Sequence, residues 1–148
     1  MQLNKFTDYA LRLLMYISRP KDTPYTIAEI AQDLHVSQNH LVKVVHFMSK
    51  QEWIMTSRGK GGGISLNPKS LELKLGNVVQ ILQGEHAIVE CNTPPCVLRS
   101  HCGLKGILDQ SLDKFYDNLN QYSLANVLTQ PVSPSSNRNL SNISNLNL

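Results

Sequence analysis

"TIAEIAQDLHVSQNHLVKVVHFMSK", residues 26–50, carries the reading on which the fold turns. Thr26 stands where a helix can start, and Glu29, one turn later, can complete a capping box. Ile27, Ile30, Ala31 and Leu34 then recur at helical spacing. "HVS" leaves room only for a tight turn. It lacks the glycine common at such corners, yet His35 tolerates a left-handed backbone better than a branched residue does. Ser37 is a second cap candidate, and Leu41, Val44, Val45 and Met48 mark the inward face of the helix that follows. Two short capped helices joined by so short a turn spell a helix-turn-helix.

The flanks extend this pattern. Upstream, Leu3, Phe6, Ala10, Leu13, Leu14 and Ile17 form one apolar face of a helix over residues 3–18. Asp8 and Arg12 lie one turn apart on it, and Pro20 ends it. Downstream, Trp53–Thr56 and Ile64–Leu66 are short strands around the glycine-rich tip "RGKGGG", which makes a wing. Leu71, Leu75, Val78, Val79 and Leu82 predict another amphipathic helix over residues 71–83. A long helix runs from Leu104 to Tyr122, with Leu104, Leu108, Leu112, Phe115, Leu119 and Tyr122 in a near-heptad seam. That seam is the pattern of a helix meeting a partner helix, although it could also pack on its own domain. The expected fold is mainly α with a small β-wing. It divides into a winged helix-turn-helix (1–83), a loop (84–103), a dimerisation helix region (104–128) and a Ser/Asn-rich tail (129–148) that reads as disordered.

Composition permits this and excludes other classes. The chain has 148 residues, 41% of them hydrophobic and 17% charged, which suits one compact domain plus an oligomerisation element. No apolar run reaches the roughly 18 residues of a membrane span. The opening residues are too polar for a signal peptide, so the expectation is a cytoplasmic chain whose thiols stay reduced. No nucleophile–base pair or paired carboxylates can be placed, so no enzyme is expected.

The net charge of +3 is modest but clustered: Lys43, Lys50, Arg58 and Lys60 oppose only Glu52 between residues 35 and 60. The reading helix starts "SQNH" (Ser37, Gln38, Asn39, His40), and first-turn residues are those that reach base edges in the major groove. Gln38 and Asn39 can pair with adenine, and His40 can meet guanine or phosphate. Lys43 suits a phosphate. Arg58 and Lys60 on the wing suit a narrow minor groove, with glycines that let the backbone approach DNA. "GKGGG" lacks the order of a phosphate-binding P-loop.

All three cysteines fall in one segment, Cys91, Cys96 and Cys102, spaced C-x4-C-x5-C. Three is odd for disulfides and one short of a four-thiolate metal site. The residues leave several readings open: buried thiols, a thiol switch, zinc with His101 or His86 as fourth ligand, or an iron–sulfur cluster.

"MQLNKFTDYALRLLMY", "VSQNHLVKVV", "RGKGGGISL", "GNVVQIL" and the cysteine triplet, in this order, resemble the NsrR type of nitric-oxide-sensing repressor. That type lies within the winged-helix iron–sulfur regulators that include IscR. The resemblance spans residues 1 to about 128. It implies a cytoplasmic homodimer on a palindromic operator in double-stranded DNA. It implies a cluster, 4Fe–4S in preference to 2Fe–2S, held by Cys91, Cys96 and Cys102. The matching fourth ligand is Asp8 of the partner subunit, and DNA is released when nitric oxide reacts with the cluster. From the residues alone, Asp8 could as well pair with Arg12. "GLKGIL" after Cys102 lacks the histidine of IscR-like sites. Glu52 stands where the family usually has glycine; a left-handed backbone there costs roughly 1 kcal/mol. The alternatives are a cluster-status or redox regulator of the same fold, an iron–sulfur electron carrier, and a zinc-binding interaction module.

Overall fold

The computed structural model describes residues 2–84 and 87–129. Helix α1 spans Lys5–Ile17, and the Asn4 side chain caps it by accepting from the Thr7 amide at 2.7 Å. Ala10, Leu13, Leu14 and Ile17 are buried, as their spacing predicts, while Leu3 precedes the helix. Helix α2, Ile27–Leu34, begins with the expected capping box: Thr26 Oγ1 accepts from the Glu29 amide and the Glu29 carboxylate accepts from the Thr26 amide. His35 then takes the left-handed conformation, φ 53° and ψ 43°, and Val36 N donates back to Ala31 O at 3.0 Å. This closes the corner and launches helix α3, Gln38–Lys50. Ser37 precedes α3 but does not cap it, since its side chain makes no cap hydrogen bond and stays exposed.

Strands β1 (Ile54–Ser57) and β2 (Gly63–Leu66) pair antiparallel, Ile54 opposite Leu66 and Ser57 opposite Gly63. Each thus lies within a residue of its predicted span. Tyr25 adds a third rung, exchanging backbone hydrogen bonds with Ile64 at 2.9 and 2.7 Å. The wing is thereby fastened to the residue before the helix-turn-helix. Trp53 is buried beneath it, and its carbonyl accepts from the buried Ser70 hydroxyl at 2.7 Å.

The single helix expected over 71–83 is broken. Residues Pro68–Glu72 form a 3-10 turn, Leu73 is extended, and helix α4 is Leu75–Gln83. The cause is local: Pro68 and the Asn67 side chain, which accepts from Lys69 N, start a tight turn. Leu73 O and Leu75 N are then taken by Leu124 N and Tyr122 O, both at 3.0 Å.

Helix α5, Leu104–Leu119, ends one turn before the predicted Tyr122, and a separate helix α6, Leu124–Thr129, follows. The second half of α5 lies on α4 of its own chain. Gly76 makes this possible: a Cβ there would sit 2.2 Å from Tyr116 O and 2.6 Å from Asn120 Oδ1. Asn120 also accepts from Asn77 N at 2.9 Å. The first half of α5 has little cover, with Leu104 57% and Ile107 64% exposed. The tail from residue 130 lies outside the described residues.

Glu52 does adopt the left-handed backbone, at φ 58°. Its side chain is exposed, so little is lost by removing it. Replacing Glu52 with Gly should therefore raise the unfolding free energy by about 1 kcal/mol, read as a higher urea midpoint at unchanged slope. A lowered midpoint would contradict the strain argument.

Candidate nucleic-acid interface and thiol loop

The inward positions of α3 are almost fully buried, with Leu41 and Met48 at 0% and Val44 at 1% exposure. This fixes the rotation of the helix and turns its other face outward. Ser37, Gln38, Asn39, His40 and Lys43 are all exposed on that side, as are Arg58 and Lys60 at the wing tip. Lys43, Arg58 and Lys60 enter no ion pair among the described residues. The pairs found there are Arg12–Asp8, Lys21–Glu29 and Lys105–Asp109. Free cations beside an exposed helix start are suited to phosphates and base edges.

The wing glycines divide into two kinds. Gly59 and Gly61 have φ of +91° and +83° with open space around them. Gly62 and Gly63 answer to internal packing instead: a Cβ would meet Ser57 O at 2.4 Å and Tyr25 O at 2.5 Å respectively. These two glycines are therefore required by the hairpin itself, whereas Gly59 and Gly61 leave the tip open on its outer side.

Helix α1 joins this surface to the rest. The Tyr9 ring lies against the His40 ring, centroids 5.9 Å apart and 31° between planes. His40 is thus partly engaged within the chain. Further along, Tyr16 Oη donates to Asp33 Oδ2 at 2.5 Å, tying α1 to α2, and this bond is the main reason the phenol is pushed up to about 12. Lys21, donating to Glu29, holds that carboxyl below its usual range. At the start of α1, Arg12 Nε donates to Asp8 Oδ1 at 2.8 Å, with the Asp8 side chain 40% exposed. The ion pair weighed from sequence is therefore present.

Residue Gln83 was invisible to sequence reasoning. Its Oε1 accepts from Thr7 Oγ1 at 2.8 Å and from Asn4 N at 3.0 Å, so the end of α4 is bound to the start of α1. The available signal was Thr7, a hydroxyl on an otherwise apolar face, which must find a partner when buried.

The cysteine segment follows Gln83. Cys91, Cys96 and Cys102 are all free thiols; Cys91 is partly covered and the others are exposed. Cys96 N donates to Cys91 O at 3.1 Å, closing a turn between them. Among the described residues, no three His, Cys, Asp or Glu side chains converge closely enough to hold a metal ion. His101 is exposed, and His86 lies outside the described residues. The donor chemistry suits a soft metal, because three accessible thiols on a turn-rich loop can converge when a metal binds. Lys105, next along the chain, is paired with Asp109, which raises its pKa.

Comparison with known proteins agrees with this geometry. The chain is 38% identical over 133 residues to the HTH-type transcriptional regulator NsrR of Halalkalibacterium halodurans, covering 87% of this chain and 91% of that one. It is 36% identical over 132 residues to the regulator of the same name from Oceanobacillus iheyensis, covering 86% and 90%. Its fold matches a crystal structure of a transcriptional regulator from Listeria innocua with a TM-score of 0.73, at 20% identity, over 93% of this chain and 92% of that one. The two curated relatives are named as transcriptional regulators, and the Listeria structure shares the fold. The profile of the Rrf2 family, described as iron-dependent transcriptional regulators, matches residues 3–130, and the chain belongs to that family.

Proposed function

We propose that the chain is a homodimeric repressor whose grip on a palindromic operator is set by an iron–sulfur cluster and relieved by nitric oxide. One observation carries the reading. A single chain pairs an exposed reading helix and wing, whose cations enter no ion pair among the described residues, with a loop holding three free thiols. The family's iron dependence and the NsrR name of the relatives support the sensing half.

On DNA, Gln38 and Asn39 address adenine edges, and Ser37 and His40 flank them. Lys43 neutralises a phosphate, and Arg58 and Lys60 follow the minor groove. Cys91, Cys96 and Cys102, with Asp8 of the partner subunit, would hold a cluster, 4Fe–4S in preference to 2Fe–2S, which supplies the reactivity towards nitric oxide. To serve in that way Asp8 must leave Arg12, and an exposed pair of this kind is worth only about 0–1 kcal/mol. Asp8 lies beside Tyr9, whose ring rests on His40, so a shift at the start of α1 reaches the reading helix in one step. The exposed first half of α5 supplies apolar surface for the second protomer.

Protein purified without oxygen should be brown and bind its operator tightly. Nitric oxide should weaken that binding roughly 150-fold if the coupling is about 3 kcal/mol. Unchanged affinity removes nitric oxide as the signal, and a colourless protein with stoichiometric zinc removes the cluster. Asp8→Ala should make the cluster more labile in air, read as faster bleaching, while DNA binding by the cluster-free form stays the same. Arg58→Ala should weaken binding and make the log–log salt slope shallower by up to about 0.9, because one cation is lost.

A further inference from the structure

The outward face of α3 carries one residue that its polar neighbours do not explain. Asn39, Val42, Lys43 and His46 recur at i, i+3, i+4 and i+7, so they form one row along the helix. All are exposed, and Val42 is 49% exposed. The core takes nothing from it, since Leu41, Val44, Val45 and Met48 fill the inward positions. Nor does the helix need it, because valine forms helix less readily than lysine, glutamine or alanine. A scattered surface valine needs no explanation. This one sits in mid-row, with Asn39 one turn before it and Lys43 and His46 beside and beyond it. Lys43 gives the row a cation that complements a nucleic-acid groove.

We propose that Val42 reads the 5-methyl group of a thymine in the major groove, and so is a specificity-determining residue. The inference rests on the DNA-reading half of the proposed function. The thymine methyl is the apolar feature among the major-groove base edges, and it is recognised by apolar contact. A β-branched side chain on a helix is held almost entirely in one χ1 rotamer. Its two methyl groups therefore stand at a fixed place relative to Asn39. Asn39 suits adenine, so the two residues together select A·T pairs at neighbouring positions in each half-site.

The test uses the full chain and a duplex it selects from random-sequence DNA. Each thymine of one half-site is replaced in turn by deoxyuridine, which removes the methyl and keeps the base pair. For the unaltered protein, one position should lose about fourfold in affinity, the worth of one buried methyl group. For Val42→Ala, the intact duplex should bind about fourfold more weakly, and deoxyuridine at that position should cost nothing further. Val42→Thr keeps the shape and checks that folding is not at issue; it should retain part of the methyl dependence. If no thymine methyl matters, or if the two losses multiply independently, the Val42 assignment is overturned while sequence-selective binding stands. If the chain selects no sequence at all, the DNA-reading proposal falls and takes this one with it.

Discussion

A single side-chain carbonyl, Gln83 Oε1, accepts from both the Thr7 hydroxyl and the Asn4 amide at the opening of α1. Thr7 is fully buried, and an unpartnered hydroxyl there would cost roughly 1–3 kcal/mol. The bond therefore sets the register of α1 against the end of α4, where the thiol segment leaves the body of the protein. From α1 the constraint spreads through packing. Ala10, Leu13, Leu14 and Ile17 bury one side, Phe6 meets Phe47 edge-on at 5.4 Å, and Tyr9 rests on His40. The helix that packs under α3 is thus the one whose start is tied to the base of the loop.

The helix-turn-helix was legible because its signals are local. A cap at Thr26, its partner Glu29 and the apolar period are decided within one turn of chain, and His35 takes the left-handed corner that a short connection demands. The left-handed backbone at Glu52 was expected only through the resemblance, which puts glycine at that position, and Glu52 adopts it. What failed had mixed causes: at 71–83 the Pro68 and Asn67 turn starts the break and partners distant in sequence complete it. The apolar spacing of 71–83 is continuous, yet Leu73 is drawn into extended backbone by Leu124. Ser37 had the right residue type for a cap and makes none.

At the site, the cysteines were legible as a group because they occur nowhere else, but their spacing does not say how they meet. The exposed side chains of α3 and the wing followed once the buried positions were known. Gln83 and Tyr9 were missed because an acceptor for Thr7, or a ring beside His40, has no periodicity to betray it. The seam of α5 divides in the structure. Its later part serves its own chain through the close approach at Gly76, and its earlier part stays open.

The wing hairpin has a consequence for how such a protein can diverge. Between residues 59 and 63, two glycines are held by backbone conformation and two by want of space, which leaves Lys60 as the one residue there with a side chain. Arg58 precedes them. A lineage can therefore retune the number of positive charges offered at 58 and 60, one substitution at a time, without rebuilding the loop that presents them. Its shape is inherited nearly whole, while its charge is free to drift.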